Sequence, residues 1–144
     1  MILGRSDESA RVAAPAVVLA SLEALNAGEP EQALRYYADN AECRLTGLSF
    51  HQPDVILGKE QLRAWFWDLV TQHVRIEPST LVEEGNVVTA EILIWSDLAR
   101  QLGAAPLSAT DRYSVRDGKI KSLGRTIHPE SAAKLLTALS HTND

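Results

Sequence analysis

Apolar residues recur three, four and seven positions apart in some stretches and at every second position in others. These two spacings divide the chain into helices and strands. Val18, Leu22 and Leu25, with Leu19, form one stripe and predict a first helix from about Arg11 to Ala27. Asn26-Ala27-Gly28 ends it, with Gly28 as the left-handed cap. Pro15 fits such a helix only in its first turn, unless the helix starts there. Pro30 and Glu31 suit the start of a second, shorter helix that carries Ala33, Leu34 and Tyr37 and stops near Asp39-Asn40. Ala41, Cys43 and Leu45 then alternate with Glu42, Arg44 and Thr46, as in a half-buried strand. Residues 47–58 read as a loop. Leu62, Trp65, Phe66 and Leu69 predict a third helix from Lys59 to about Gln72, with Trp67 off its stripe. Four strands are expected after it: Val74 to Glu83, Val87 to Asp97, Leu107 to Arg116 and Lys119 to Ile127. Asp117-Gly118 is a tight-hairpin signal between the last two. Pro129 opens a final helix with Ala132, Leu135, Leu136 and Leu139 on its apolar face.

Helices first and strands afterwards indicate an α+β fold. A curved antiparallel sheet packed against the helices would bury these stripes and leave a cone, at whose open end a ligand would sit. The 144 residues, 45% hydrophobic and 23% charged, suit one globular domain over residues 9–144, behind a flexible tail of residues 1–8. Fourteen basic against nineteen acidic residues give a net charge of −5, so no basic footprint for nucleic acid exists. The single cysteine, Cys43, cannot close an intrachain disulfide, which points to a cytoplasmic location. Val12–Ala20 is interrupted by Pro15 and is too short to span a membrane, and acidic residues precede any long apolar run, so neither a membrane partner nor a signal peptide is expected.

The strand from Leu107 to Arg116 places Asp111 on its apolar face with Leu107, Ala109, Tyr113 and Val115. A buried carboxylate must be paired, hydrogen-bonded or protonated. Across the Asp117-Gly118 hairpin, Arg125 shares a face with Leu123 and Ile127. An inward Asp111–Arg125 pair is therefore expected, and it reads either as a structural ion pair or as a contact to a ligand. Asp97, after Trp95 on the same face, is a second acid, either a base at the cavity rim beside the indole or a solvated strand end. His51, in the loop that would border the cavity mouth, is either an acid–base group or a surface residue. Trp65, Phe66 and Trp95 suit a cavity wall or an ordinary core, and Tyr37 has a hydroxyl able to point inward. His51, His73, His128 and His141 lack metal-ligand spacing, and neither a phosphate loop nor a Gly-x-Ser-x-Gly elbow is present. No metal or cofactor is expected.

Several segments taken in order resemble the NTF2-like superfamily, and within it the SnoaL-like, ketosteroid-isomerase-like and limonene-epoxide-hydrolase-like proteins. They are Ala24-Leu25-Asn26-Ala27-Gly28-Glu29, Tyr36-Tyr37-Ala38-Asp39-Asn40-Ala41, Leu57-Gly58-Lys59-Glu60-Gln61-Leu62 with Trp65-Phe66, and Asp111-Arg112-Tyr113 with Asp117-Gly118-Lys119-Ile120. The resemblance spans about residues 10–140. It implies a cone-shaped α+β barrel, an apolar pocket and a homodimer. For the dimer, the outer face of the sheet is expected to carry Val88, Ala90, Ile92 and Ile94, or their opposite-parity neighbours. The resemblance also implies where catalytic groups would stand. The isomerases' carboxylate base falls on Leu45, their tyrosine donor on Ser21 and their protonated aspartate on Asp111. The aspartate of the cyclases and epoxide hydrolases falls on Arg125, and their Arg-x-Asp is met only by Trp95-Ser96-Asp97. One of the three isomerase groups is retained.

The resulting expectation is a cofactor-free isomerase, cyclase or epoxide-hydrolase-like enzyme for a small apolar molecule. The alternative is a non-catalytic ligand-binding or dimerisation module. Asp111, Arg125, Asp97 and His51 are the expected catalytic groups. The expected pocket residues are Tyr37, Leu45, Trp65 and Phe66 on one side and Trp95, Tyr113, Leu123 and Ile127 on the other.

Overall fold

Residues 2–47 and 55–142 are described by a computed structural model of the chain. Its elements are α1 (Ile2–Asn26), α2 (Pro30–Leu34), β1 (Tyr37–Thr46), β2 (Val55–Leu57), α3 (Gly58–Thr71), β3 (Arg75–Glu84), β4 (Val87–Trp95), α4 (Asp97–Gln101), β5 (Leu107–Arg116), β6 (Lys119–Ile127) and α5 (Pro129–Thr142). The six strands form one curved, unclosed sheet in the order β2-β1-β6-β5-β4-β3. All neighbours are antiparallel except β1 and β6, which run parallel, so the sheet is mixed rather than wholly antiparallel. None of the described helices is long and apolar enough to cross a membrane.

The α+β class, the last two strands and the final helix match the sequence pattern. Five local features differ. α1 begins at Ile2, nine residues before the expected start at Arg11. Pro15 lies inside α1 rather than in its first turn. The second helix stops at Leu34, and Tyr37 begins β1 instead of ending a helix, because its main chain pairs with Ile120 of β6. Three residues of the expected 47–58 loop form β2, an edge strand on β1. Asp97 leaves the fourth strand and starts α4, whose N-cap Ser96 accepts a hydrogen bond from the Ala99 N–H at 3.1 Å.

Period-two alternation decides what the sheet buries. On β5 the residues Leu107, Ala109, Asp111, Tyr113 and Val115 are all buried. On β4 it is Val88, Ala90, Ile92 and Ile94 that face the helices and join the core, so these four are not on the outer face. Their opposite-parity neighbours Val87, Thr89, Glu91 and Leu93 take the outer face, beside Glu42, Arg44, Thr110, Arg112 and Ser122 of the adjoining strands. On β6 a bulge shifts the register, so that Ser114 faces Ser122 while Val115 faces Ile120. That extra residue explains why Ile120 and Leu123, three apart, are both buried. α1 lies across β3 to β6, and α3 packs on β1 and β2.

Candidate active site

Cross-strand register builds the centre of the inner face. Leu45 of β1 stands beside Arg125 of β6, Arg125 beside Asp111 of β5, and Asp111 beside Ala90 of β4. Neighbours in such a row have side chains close enough to touch. The expected inward pair is there. Arg125 donates from Nε to Asp111 Oδ1 at 2.7 Å and from Nη2 to Oδ2 at 2.8 Å, a two-pronged grip. The Tyr113 hydroxyl donates to Oδ2 at 2.7 Å. Asp111 is 0% and Arg125 6% exposed.

These contacts set the charge states. Burial works against the Arg125 guanidinium, but the Asp111 carboxylate beside it and the hydrogen bonds to it hold its pKa above the ordinary value. Burial, reinforced by the Asp111 charge, pushes the Tyr113 hydroxyl well above its usual range, so it stays a neutral donor. Burial likewise raises Tyr37, and it lifts the Cys43 thiol to about 12.

Arg125 also opens onto a cavity of about 140 Å³. Leu45 and Thr46 from β1, Trp65 and Leu69 from α3, and Val74, Ile94, Leu107 and Ile127 form the rest of the wall. The Trp65 ring centroid lies 5.8 Å from the guanidinium carbon, within cation–π range. No described buried polar side-chain atom lacks a partner, and Asp111 takes only Nε and Nη2. The Nη1 end of the guanidinium is therefore the part that reaches the cavity. Among the described lining residues there is no carboxylate or imidazole.

Of the residues singled out in the sequence, the structure brings Leu45, Trp65, Arg125 and Ile127 together at this cavity, with Asp111 directly behind the arginine. Tyr37, Phe66, Tyr113 and Leu123 are buried in the surrounding core instead. Tyr37 packs edge-on against Phe66 at 5.2 Å. Trp95 is half-buried at the end of β4 opposite Arg75, away from the lining. Asp97 is partly exposed, bound to His73 Nδ1 at 2.7 Å and close to Arg100 at 3.4 Å. His51 lies outside the described residues. Ser21 spends its hydroxyl on the Val18 carbonyl at 2.8 Å, within its own helix. Sequence reasoning missed Thr46, Leu69, Val74, Ile94 and Leu107 as wall residues, and Tyr113 as the third donor to Asp111. The parity of β5 already carried the signal for Tyr113, because it puts that residue two positions from Asp111 on the same face. No cluster of three or more His, Cys, Asp or Glu suited to a metal occurs among the described residues.

The family model described as SnoaL-like domain matches residues 18–123. No curated protein sequence matches the chain. Among solved structures, the epoxide hydrolase/cyclase-like enzyme SalBIII, associated with pyran ring formation in polyether salinomycin, superimposes with a TM-score of 0.67 at 20% identity, covering 82% of this chain and 92% of that one. A candidate ketosteroid isomerase from Kribbella flavida DSM 17836 gives 0.66 at 13% identity, covering 82% and 79%. An NTF2-like protein of unknown function from Cytophaga hutchinsonii ATCC 33406 gives 0.63 at 20% identity, covering 81% and 91%. At these identities the likeness is one of fold.

Proposed function

The chain belongs to the SnoaL-like domain family of the NTF2-like superfamily, and from that premise we propose that it binds a small, largely apolar molecule whose one acceptor oxygen is held by Arg125. The observation that carries this reading is the buried guanidinium, fixed on one edge by Asp111 and open to an apolar cavity on the other. An arginine cannot lose its charge here, and a low-dielectric wall strengthens its pull on a carbonyl, enolate or phenolate oxygen. The volume, about 140 Å³, is below the roughly 300–1,000 Å³ of drug-sized sites, which favours a single ring or a short chain.

Arg125 also favours a second reading, a cofactor-free isomerase, cyclase or epoxide-hydrolase-like enzyme. An oxygen that gains negative charge during reaction would be stabilised by this preorganised donor. Such a reaction also needs a proton acceptor. Asp111 has both oxygens engaged by three donors and does not reach the cavity, so it serves as the residue that positions Arg125.

The test is titration with 4-nitrophenol, a single ring whose absorbance reports the charge on its oxygen. Saturable binding of the phenolate form is expected, reduced in Arg125→Lys and lost in the double variant Asp111→Leu/Arg125→Met. Equal binding by a folded double variant overturns the assignment.

A further inference from the structure

A second hollow, of about 450 Å³, lies where the C-terminal ends of α1 and α3 meet the start of β3. Its polar rim is His73, Arg75 and Arg100, and Leu25, Val70 and Val74 supply an apolar floor. His73 is held there by several independent bonds. Its ring Nδ1 meets Asp97 Oδ2 at 2.7 Å. Its carbonyl accepts from Arg100 Nη1 at 3.2 Å. The Asp97 N–H donates to the carbonyl of Gln72, the preceding residue, at 3.0 Å, which locks the first turn of α4 to the end of α3.

His73 also has a φ of +53°, the left-handed conformation that closes a helix and that glycine adopts without strain. An imidazole therefore stands where backbone geometry favours glycine, with its Nδ1 edge occupied by Asp97.

Both arginines of the rim keep unspent donors. Glu77 takes Nε and Nη2 of Arg75, which leaves Nη1. The bonds of Arg100 to Asp97 and His73 both use Nη1, which leaves Nε and Nη2. Asn26 is spent on the main chain of Ile76, at 2.8 Å in each direction. The helix-end carbonyls are also engaged, Leu25 by the Gly28 N–H and Val70 by the His73 N–H, both at 3.0 Å. No carboxylate is among the described residues that line the hollow.

We propose that this hollow is a second binding site, separate from the Arg125 cavity, for a small organic oxyanion. The oxyanion is received by Arg75 Nη1 and by Arg100 Nε and Nη2, beside the His73 ring, and a short apolar body rests on Leu25, Val70 and Val74. Carboxylates and phosphates share the required chemistry, and the apolar floor separates a short-chain acid from inorganic phosphate.

The test follows the His73 ring signals by NMR while butyrate or inorganic phosphate is added at constant ionic strength. Saturable movement with butyrate assigns a carboxylate ligand, and movement with phosphate alone assigns a phosphate. His73→Gly and Arg75→Gln, followed by calorimetry, are each expected to weaken binding about tenfold, through loss of the imidazole wall in the first and of one charge-assisted contact in the second. His73→Gly is also expected to leave the melting temperature unchanged or higher, since glycine suits the backbone there. Arg75→Gln, at an exposed position, keeps the affinity test interpretable if His73→Gly does not fold. Absence of saturation with both probes, equal movement with chloride, or unchanged affinity in folded variants overturns the proposal.

Discussion

Asp111 is satisfied by protein groups alone. Two arginine nitrogens and one tyrosine hydroxyl converge on its two oxygens in a fully buried position. Removing one partner alone leaves a charge stranded in the core, whereas replacing both removes the problem. Arg125→Met is therefore expected to cost about 3–5 kcal/mol. The double variant Asp111→Leu/Arg125→Met should recover most of that loss, measured by urea unfolding. Cys43 is a buried free thiol. With its thiol raised to about 12, the folded protein should not react with a disulfide reagent at pH 8, and reaction should begin at the unfolding midpoint. The sign of the alkaline response follows from the same shift. Cys43, Tyr37 and Tyr113 hold their protons more tightly folded than unfolded, so their contribution is intact below pH 9 and lost as pH rises from 9 towards the folded values. The urea midpoint should fall across that range, and less steeply in Tyr37→Phe.

Two glycines that look alike in sequence play different parts within their strands. Gly47, just past β1, has a φ of +108°, and a Cβ there would stand 2.7 Å from the Ile127 carbonyl oxygen of β6. Gly124, within β6, has ordinary backbone, and a Cβ there would meet nothing within 4 Å. Gly47→Ala is expected to destabilise by roughly 1–3 kcal/mol, and Gly124→Ala to be neutral or mildly stabilising. Thermal unfolding of the two variants distinguishes them. Legibility at this scale followed the length and regularity of each element. β5 was readable residue by residue, because five buried and five less buried positions alternate without a break. β2 was not, because three residues carry no period, and it is a strand only through its pairing with Glu42, Cys43 and Arg44. α4 was hidden for a similar reason, since its five residues are organised by the Ser96 cap and the bond to Gln72.

The cavity belongs to the whole molecule, since β1, α3, the approach to β3, β4, β5 and β6 each contribute to its wall. Leu45→Phe puts a larger group into that space from a half-buried position. It is expected to reduce 4-nitrophenol binding at least about tenfold while changing stability by under about 1.5 kcal/mol, as a hydrophobic swap with room to repack. Parallel binding and unfolding measurements separate the two effects.

Local pattern determined the α+β class, the inward side of β5 and the pairing of Asp111 with Arg125. Alternation states which side of a strand is apolar, and Asp117-Gly118 states which strand lies beside it. Both are short-range properties of the chain. Tertiary structure alone decided that β1 lies parallel to β6, that Leu69, Val74 and Leu107 share one cavity, and that His73 meets Asp97 across 24 positions. These juxtapositions arise where separate elements end and pack together. Their geometry comes from the sum of many weak contacts, and the spacing of residues along the chain carries no record of it.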